Sequence, residues 1–294
     1  MTDLVLVTGA TGLTGGYTAE ILTQQGIPVR ALVHKEDERA QKLRMMGVDV
    51  VIGDLLNLND ARRALDGVSA AYFIYPIAPG IIDATAYFAQ AAKEAGTKAV
   101  VNMSQISARR DSKSNAARDH WMAERVFDWS GLEMTHLRPT YFAEWLLYPH
   151  FLQTIRDNSV IVLPFGEGRH APITARDQAR LIAAILANPK PHAGRTYPLH
   201  GPEEMSQHQV AKIVGEVLGK RVEYQPITIE QFRDQLTQAG IPSFLVQHLC
   251  EVALDYQNGI FEGEDTVIKA VTGQAPMTVQ AFVEAHRQEY QSTK

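Results

Sequence analysis

The fold of this chain is indicated first by a glycine-rich stretch near its start, Leu4-Val5-Leu6-Val7-Thr8-Gly9-Ala10-Thr11-Gly12-Leu13-Thr14-Gly15-Gly16. The apolar run at its beginning predicts a buried strand, and the residues after it predict a helix. Between them, Gly9 permits a sharp turn, Gly12 lets backbone N–H groups approach a diphosphate, and Gly15 lets the helix pack closely on the strand. The positive end of that helix faces the phosphates. The stretch therefore predicts a dinucleotide-binding turn, the alternative being a fold of this type that binds no nucleotide; the predicted contacts are Gly9, Thr11, Gly12, Leu13, Thr14 and Gly15.

Short apolar segments alternate with amphipathic segments through the first half of the chain, which is typical of βαβ units and a parallel sheet. We predict strands at Leu4–Thr8, Val29–His34, Val48–Ile52, Ala70–Tyr75, Ala99–Ser104 and Met134–Arg138. We predict helices at Thr14–Gln25, Glu36–Met46, Asn59–Leu65, Ile81–Ala95, Ala117–Trp129 and Tyr141–Gln153. A glycine that tolerates the left-handed conformation follows each of the first five helices, at Gly26, Gly47, Gly67, Gly96 and Gly131.

The pattern changes after about residue 155, where a short apolar run at Val160–Leu163 precedes a helix near Arg176–Ala187 and a strand at Thr196–Leu199. Helices dominate the remainder, and Ser206–Gln209 and Thr228–Gln231 both fit the capping box that starts a helix. We therefore predict an α/β fold, a doubly wound parallel-sheet Rossmann domain formed by residues 1–154 with 174–200. A smaller, mostly helical C-terminal domain for substrate or partner is predicted from residues 155–173 with 201–294.

Composition argues against several other classes of protein. The 294 residues include 28 basic and 33 acidic side chains without a block of five like charges, which disfavours direct binding to nucleic acid. The single Cys250 allows neither an intrachain disulfide nor a cysteine-based zinc site. The histidines form no HExxH pattern, so we expect no metal. Because neither a signal-peptide pattern nor a long apolar segment is visible, we expect a cytoplasmic protein that does not enter the membrane.

The end of the second predicted strand bears on the choice between NAD and NADP. An acidic side chain there bonds the ribose 2′-hydroxyl of NAD and repels the 2′-phosphate of NADP. This chain has His34 followed by Lys35, with Arg30 nearby on the strand, although Glu36 and Asp37 dilute the positive charge. We therefore favour NADP(H) over NAD(H). The alternative is that His34 and Lys35 are surface residues at the start of a helix.

Several further residues lie at or just beyond the ends of predicted strands, where open α/β sheets bind their ligands. Tyr75 and Pro76 at the end of the fourth strand and Ser104 at the end of the fifth are expected to line the crevice, or only to shape the backbone there. Tyr141 and Phe142 are candidates for an apolar wall of the substrate pocket, with aromatic core packing as the alternative.

Four groups of residues accompany the glycine-rich turn at Thr8–Gly16: Gly53-Asp54-Leu55, Ser130-Gly131-Leu132, Leu137-Arg138-Pro139 with Tyr141-Phe142, and Gly166-Glu167-Gly168 with Ala171-Pro172-Ile173 and Asp177. Together they resemble the NmrA-like branch of the atypical short-chain dehydrogenase/reductases over nearly the whole chain. The resemblance implies a Rossmann fold that binds NAD(P)(H). It also implies a function either as a redox-sensing regulator or as a reductase of quinones, azo compounds and cationic dyes. It places Asp54 and Leu55 near the adenine, although Asp54 equally suits a cap on the following helix.

The chain departs from its relatives at two places. The family often has an arginine for the 2′-phosphate where this chain has His34. Catalytic short-chain dehydrogenases use Tyr-x-x-x-Lys, in which the lysine lowers the pKa of the tyrosine and the phenol donates a proton to a carbonyl oxygen. Here the equivalent place holds His120-Trp121-Met122-Ala123-Glu124, and the literal match Tyr290–Lys294 at the end of the sequence is a chance match.

The missing tyrosine and lysine argue against reduction of ketones or sugars, which needs a hydride and a well-placed proton. The oxygens of a reduced quinone are protonated by water, and a cationic dye needs hydride alone, so proximity to the cofactor supplies much of the rate. We therefore expect an NAD(P)H-dependent reductase of quinone-like or other conjugated or cationic electrophiles, with Ser104 and His120 as candidate catalytic residues. His120 is also a candidate for the pocket because imidazole titrates near neutral pH, or else it is simply packed at a helix start. The second hypothesis is a sensor that binds NADP(H) and acts on a protein partner without turnover.

Overall fold

The computed structural model describes residues 3–291, so residues 292–294 of the predicted C-terminal domain and Lys294 of the Tyr-x-x-x-Lys match lie outside it. The strands are β1 (Leu4–Thr8), β2 (Val29–Val33), β3 (Asp49–Ile52), β4 (Val68–Phe73), β5 (Ala99–Met103), β6 (Glu133–Pro139), β7 (Val160–Leu163), β8 (Arg169–His170), β9 (Arg195–Leu199), β10 (Met205–Ser206) and β11 (Glu223–Pro226). The α-helices are α1 (Leu13–Gln24), α2 (Glu38–Met45), α3 (Leu58–Ala64), α4 (Ile81–Ala95), α5 (Asn115–Trp129), α6 (Pro149–Asn158), α7 (Ala175–Ala187), α8 (Gln207–Leu218), α9 (Ile229–Gln238), α10 (Ser243–Gln257), α11 (Val267–Thr272) and α12 (Val279–Ala285).

Seven strands form one parallel sheet in the order β3-β2-β1-β4-β5-β6-β9. The order reverses between β1 and β4, which creates the crevice where doubly wound sheets bind ligands at the carboxyl ends of their strands. The predicted α/β Rossmann fold is confirmed.

Helices cover both faces of this sheet, because successive side chains of a strand point to opposite faces. In β1, Val5 and Val7 belong to the core beneath α1, α2 and α7, whereas Leu6 belongs to the core beneath α3, α4 and α5. On the second face, three phenylalanine rings pack edge to face or tilted, with centroids 4.8 and 5.2 Å from Phe73 to Phe88 and Phe127.

The chain after β6 builds a third core around small strand pairs, β7 with β11 and β8 with β10, and around helices α8, α10 and α12. The predicted capping boxes are both confirmed: Ser206 caps α8 with Gln209, and Thr228 caps α9 with Gln231. The predicted helix stops are confirmed as well, since all five glycines have positive φ. This part of the molecule is mostly helical, as predicted.

The predicted helix Tyr141–Gln153 is wrong. Phe142 is extended and forms a bridge with Ile173, a short 3-10 helix covers Ala143–Leu147, and α6 begins only at Pro149. The residue before a proline is disfavoured in the α conformation, and Tyr148 is accordingly extended, with φ −63° and ψ 142°. Proline then suits the first turn of α6, where its missing N–H costs no hydrogen bond.

Within residues 3–291, no helix has the length and apolar character that a membrane crossing requires. The same residues contain no group of three His, Cys, Asp or Glu side chains arranged to hold a metal ion.

Candidate functional site

The glycine-rich turn connects β1 to α1 at the crevice, and its shape depends on two glycines. Gly9 has φ +60°, and a Cβ there would lie 2.5 Å from Cγ2 of Ile74. A Cβ at Gly15 would lie 2.3 Å from the carbonyl oxygen of Gly9. The turn is therefore a cradle that side chains would fill, which is the shape a diphosphate needs for contact with backbone N–H groups.

The N-terminus of α1 has no side-chain cap, and of its first backbone donors the N–H of Gly12 is bonded to the carbonyl of Gly9 at 2.9 Å. Gly12 occupies the N-cap position without a side-chain hydrogen bond, and the first turn within the described chain holds no acidic residue. Thr11 and Leu13 are at least partly exposed beside it, whereas Thr14 is buried with its hydroxyl 3.0 Å from that of Tyr72. Open N–H groups and the helix dipole favour an anion at this point.

His34 and Lys35 follow the end of β2 and are exposed to solvent. Nδ1 of His34 lies 3.9 Å from Oδ2 of Asp54. The acidic neighbours are engaged elsewhere: Glu36 pairs with Arg44 at 2.9 Å and Asp37 with Arg39 at 2.6 Å.

Arg30 points away from this corner. Its guanidinium bonds Asp49 at 2.7 Å and the backbone oxygens of Ala64 and Asp66 at 3.1 and 2.7 Å. Arg30 is therefore not among the basic residues beside the end of β2.

The loops after β3 and β4 approach each other on this side of the crevice. Asp54 accepts a hydrogen bond from the backbone N–H of Leu56, 2.9 Å away, while Asn57 caps α3, so the alternative role of Asp54 as helix cap is wrong. Leu55 packs partly buried against the core.

Tyr75 lies in the loop after β4. It donates to the carbonyl of Pro79 at 3.3 Å, and partial burial, with the nearby charge of Asp54, raises the pKa of its phenol. Pro76 is exposed beside it.

Ser104 directly follows β5 and lies inside a buried polar cluster. Its hydroxyl donates to Oε1 of Glu124 at 2.6 Å. Arg138, at the end of β6, donates to both oxygens of the same carboxylate at 2.8 and 2.5 Å. Glu124 is the last residue of the segment His120–Glu124, which we expect to correspond to Tyr-x-x-x-Lys, with Glu124 at the position of the lysine.

His120 lies one helical turn before Glu124 on the buried face of α5. Its Nε2 has no hydrogen-bond partner among residues 3–291. Burial, with a smaller contribution from His248, lowers the pKa of His120 to about 4. The imidazole is therefore neutral near pH 7 and does not act there as an imidazolium acid.

Helix α10 fastens the loop between β5 and α5 to the C-terminal part. Arg109 makes two hydrogen bonds to the carboxylate of Asp255, at 2.7 and 2.6 Å. Ser114 and Nδ1 of His248 are 2.8 Å apart. The side chain of Gln247 bonds the backbone on both sides of Ser114, at the carbonyl of Lys113 and the N–H of Asn115. We call this set of contacts the α10 clasp.

Tyr141 packs among the aromatic rings of the C-terminal core. Its ring centroid is 4.9 Å from Phe261, 5.0 Å from Phe165 and 6.0 Å from Tyr256. Burial raises the pKa of its phenol, so Tyr141 stays protonated at neutral pH. Phe142 instead packs against the core of the large sheet.

The sequence analysis did not single out Glu124, Arg138 or the α10 clasp. A signal for the first two was present, because Glu124 falls on an alanine-rich face of an amphipathic helix and Arg138 ends a buried strand; buried charges are normally paired. Nothing in the spacing of residues 109 and 255 indicated that they meet.

Comparison with known proteins agrees with this geometry. The model of the NmrA-like family matches residues 1–283. The NAD(P)H azoreductase of Xenophilus azovorans is 33% identical over 289 residues, which cover 96% of this chain and 98% of the relative. Quinone oxidoreductase 2 of Escherichia coli is 26% identical over 91% of this chain and 93% of its own. The crystal structure of the NADPH-dependent quinone oxidoreductase from Escherichia coli in complex with NADPH superposes with a TM-score of 0.85 at 25% identity, covering 97% of this chain and 99% of that one. The chain therefore belongs to the NmrA-like family.

Proposed function

We propose that this protein is an NAD(P)H-dependent reductase of quinone-like or other conjugated or cationic electrophiles. The observation that carries the proposal is the pairing of an open glycine cradle at the crevice with two candidate proton donors, His120 and Ser104, that are not available to the substrate. His120 is neutral at pH 7, and the hydroxyl of Ser104 is bonded to Glu124.

The residues fit a dinucleotide along the crevice. Gly9, Gly12 and Gly15, with the open N–H groups of α1, would hold the diphosphate. His34 and Lys35 would face the adenosine ribose, Asp54 and Leu55 the adenine, and Tyr75 and Ser104 the nicotinamide half. When bound in reduced form, the cofactor supplies a hydride to the acceptor.

The choice of acceptor follows from the state of His120 and Ser104, neither of which is placed to supply a proton. A ketone that accepts a hydride becomes an alkoxide, which needs a proton from the protein. A reduced quinone is a stable phenolate that takes its protons from water, and a cationic dye becomes neutral with hydride alone. The names of two relatives, an azoreductase and a quinone oxidoreductase, support the same class of acceptor.

The test is NADPH oxidation at 340 nm with a panel of quinones, an azo dye and a cationic dye, each compared with an aliphatic ketone. We expect turnover with the conjugated acceptors and none with the ketone. Equal rates with the ketone, or no turnover above buffer with any acceptor, would contradict the proposal.

The same geometry favours NADP(H) over NAD(H). Glu36 and Asp37 are paired with arginines, so His34 and Lys35 are the groups that a 2′-phosphate would meet. Titration with NADPH and NADH, followed by the fluorescence of Trp121, Trp129 and Trp145, measures the preference directly.

His34→Glu is expected to weaken NADPH binding about fivefold more than NADH binding, because a carboxylate a few ångströms from the 2′-phosphate costs on the order of 1 kcal/mol in a solvated site. His34→Gln, which adds no charge, is the control and should change the ratio of the two dissociation constants much less. Equal losses for NADPH and NADH in the glutamate variant would place His34 outside the ribose pocket.

A sensor that binds NADP(H) and signals to a protein partner is the second candidate. It is favoured by the same state of His120 and Ser104. Tight nucleotide binding without turnover on any acceptor in the panel would select it over the reductase.

A further inference from the structure

Glu124 is a fully buried carboxylate whose oxygens receive donors from two strands. Ser104 approaches Oε1 at 2.6 Å from the end of β5, and Arg138 spans both oxygens at 2.8 and 2.5 Å from the end of β6. Its side chain has 0% exposure, whereas Arg138 is 26% exposed. A buried carboxylate is costly unless it is paired and hydrogen-bonded, and this one has a charged partner in bidentate geometry.

The direction of the bond from Ser104 is fixed by chemistry. An ionised carboxylate only accepts hydrogen bonds, so the hydroxyl proton of Ser104 points to Glu124. The backbone N–H of Ser104 is also used, by the carbonyl of Leu137 at 2.8 Å. A ligand at the carboxyl end of β5 can therefore use only the lone pairs of the Ser104 hydroxyl oxygen, which accept hydrogen bonds.

We propose that Glu124 is a positioning residue that fixes Ser104 as a hydrogen-bond acceptor for an N–H or O–H group on the nicotinamide half of the dinucleotide. The inference rests on the proposed function for the presence of that ligand. It excludes Ser104 as the proton donor in the reaction. It also makes Ser104 a poor partner for a quinone, whose carbonyl oxygens only accept.

Two groups of the nicotinamide half supply such a donor, the amide N–H of the carboxamide and the ribose hydroxyls. The affinities of three ligands distinguish these two groups. NADP⁺ has both, 2′-phospho-ADP-ribose keeps the ribose hydroxyls without the carboxamide, and adenosine 2′,5′-bisphosphate has neither.

The experiment measures the dissociation constants of these ligands for the wild type, Ser104→Ala and the control Ser69→Ala. Ser69 donates to the carbonyl of Leu4 at the opposite end of the sheet. We expect Ser104→Ala to weaken NADP⁺ about three- to tenfold, the value of one hydrogen bond, and to leave adenosine 2′,5′-bisphosphate unchanged. A loss confined to NADP⁺ identifies the carboxamide; a loss shared with 2′-phospho-ADP-ribose identifies a ribose hydroxyl. Unchanged binding of NADP⁺ overturns the inference.

The role of Glu124 is tested by repeating Ser104→Ala in a Glu124→Gln background. An amide presents a donor as well as an acceptor, so Ser104 is no longer held in one direction. We expect the loss caused by Ser104→Ala to shrink there, which a purely structural role would not produce. An unchanged loss overturns the positioning role. Affinity for adenosine 2′,5′-bisphosphate reports whether each variant is folded, and the Ser104→Ala result stands without the double variant.

Failure of the proposed function gives a different result. If the wild type binds none of the three ligands, both the function and the inference fall. If the wild type binds NADP⁺ and reduces quinones but Ser104→Ala binds like the wild type, only the inference falls.

Discussion

Gly15 shows how a single missing carbon atom sets the shape of the cradle. A Cβ at this position would lie 2.3 Å from the carbonyl oxygen of Gly9 and 2.6 Å from its carbon, both rigid backbone atoms. At neighbouring Gly16 the nearest atom is the oxygen of Ala10 at 3.3 Å, which a small backbone adjustment accommodates. Gly15 therefore has no room for a side chain, whereas Gly16, next to it on α1, can accept a small one.

Gly15→Ala is expected to weaken NADPH binding more than tenfold and to lower the free energy of unfolding by about 1–3 kcal/mol, because α1 must move away from the turn. Gly16→Ala is the matched control and should keep nucleotide affinity close to that of the wild type. Titration with NADPH and urea unfolding of both variants measure the two quantities. Similar affinities for the two variants would show that close packing of α1 does not shape the cradle.

Helix α10 connects the C-terminal part of the chain to the loop that follows β5. Its clasp combines a bidentate ion pair at Asp255 with hydrogen bonds at His248 and Gln247. Asp255 is only 10% exposed, so its pair with Arg109 is shielded more than an ordinary surface salt bridge. The clasp therefore holds the loop and the beginning of α5 in one position.

Asp255→Asn is expected to lower the free energy of unfolding by about 1–3 kcal/mol, the value of hydrogen bonds to a charged group. Asp111→Asn is the control, since Asp111 lies 3.5 Å from Arg109 but is 88% exposed. Urea unfolding should show little change for the control. Arg109→Met combined with Asp255→Asn should cost less than the sum of the single changes, and strict additivity would contradict a direct interaction.

Between residues 3 and 291, three buried histidines have pKa values that burial lowers: those of His120 and His248 to about 4, and that of His170 to about 3. An unfolded histidine has a pKa of about 6.5, so the unfolded chain binds more protons as the pH falls below that value. The contribution of these histidines to stability is fully present above pH 6.5 and is lost as the pH falls toward 4, by up to about 3 kcal/mol for each histidine.

His170→Gln is expected to reduce the slope of the free energy of unfolding against pH between pH 6.5 and pH 4. The reduction corresponds to about one proton fewer taken up on unfolding. Glutamine offers a hydrogen bond to Tyr256, which His170 contacts at 2.6 Å, but does not titrate. His150→Gln, the same substitution at an exposed position, is the control. Urea unfolding at a series of pH values measures the slopes, and parallel curves for the wild type and His170→Gln would refute the expectation.

The sequence was informative wherever local chemistry decides structure. Apolar strands and helix-ending glycines predicted the Rossmann fold, and the capping boxes at Ser206 and Thr228 predicted two helix starts. It failed where a partner is distant in the chain. The extended course of Phe142 depends on pairing with Ile173, and the partner of Arg109 lies 146 residues away. The direction of Arg30 likewise depends on Asp49 in the neighbouring strand.

The last strand of the seven-stranded sheet, β9, comes late in the chain. β9 pairs with β6 from Thr135↔Arg195 to Pro139↔Leu199, after the intervening chain has already contributed β7, β8 and α7. Until residues 195–199 have been synthesised, the largely buried β6 is an edge strand whose unpaired backbone groups can pair with another nascent chain. We therefore expect a fragment that stops before residues 195–199 to expose the edge of β6 and to aggregate more readily than the full chain.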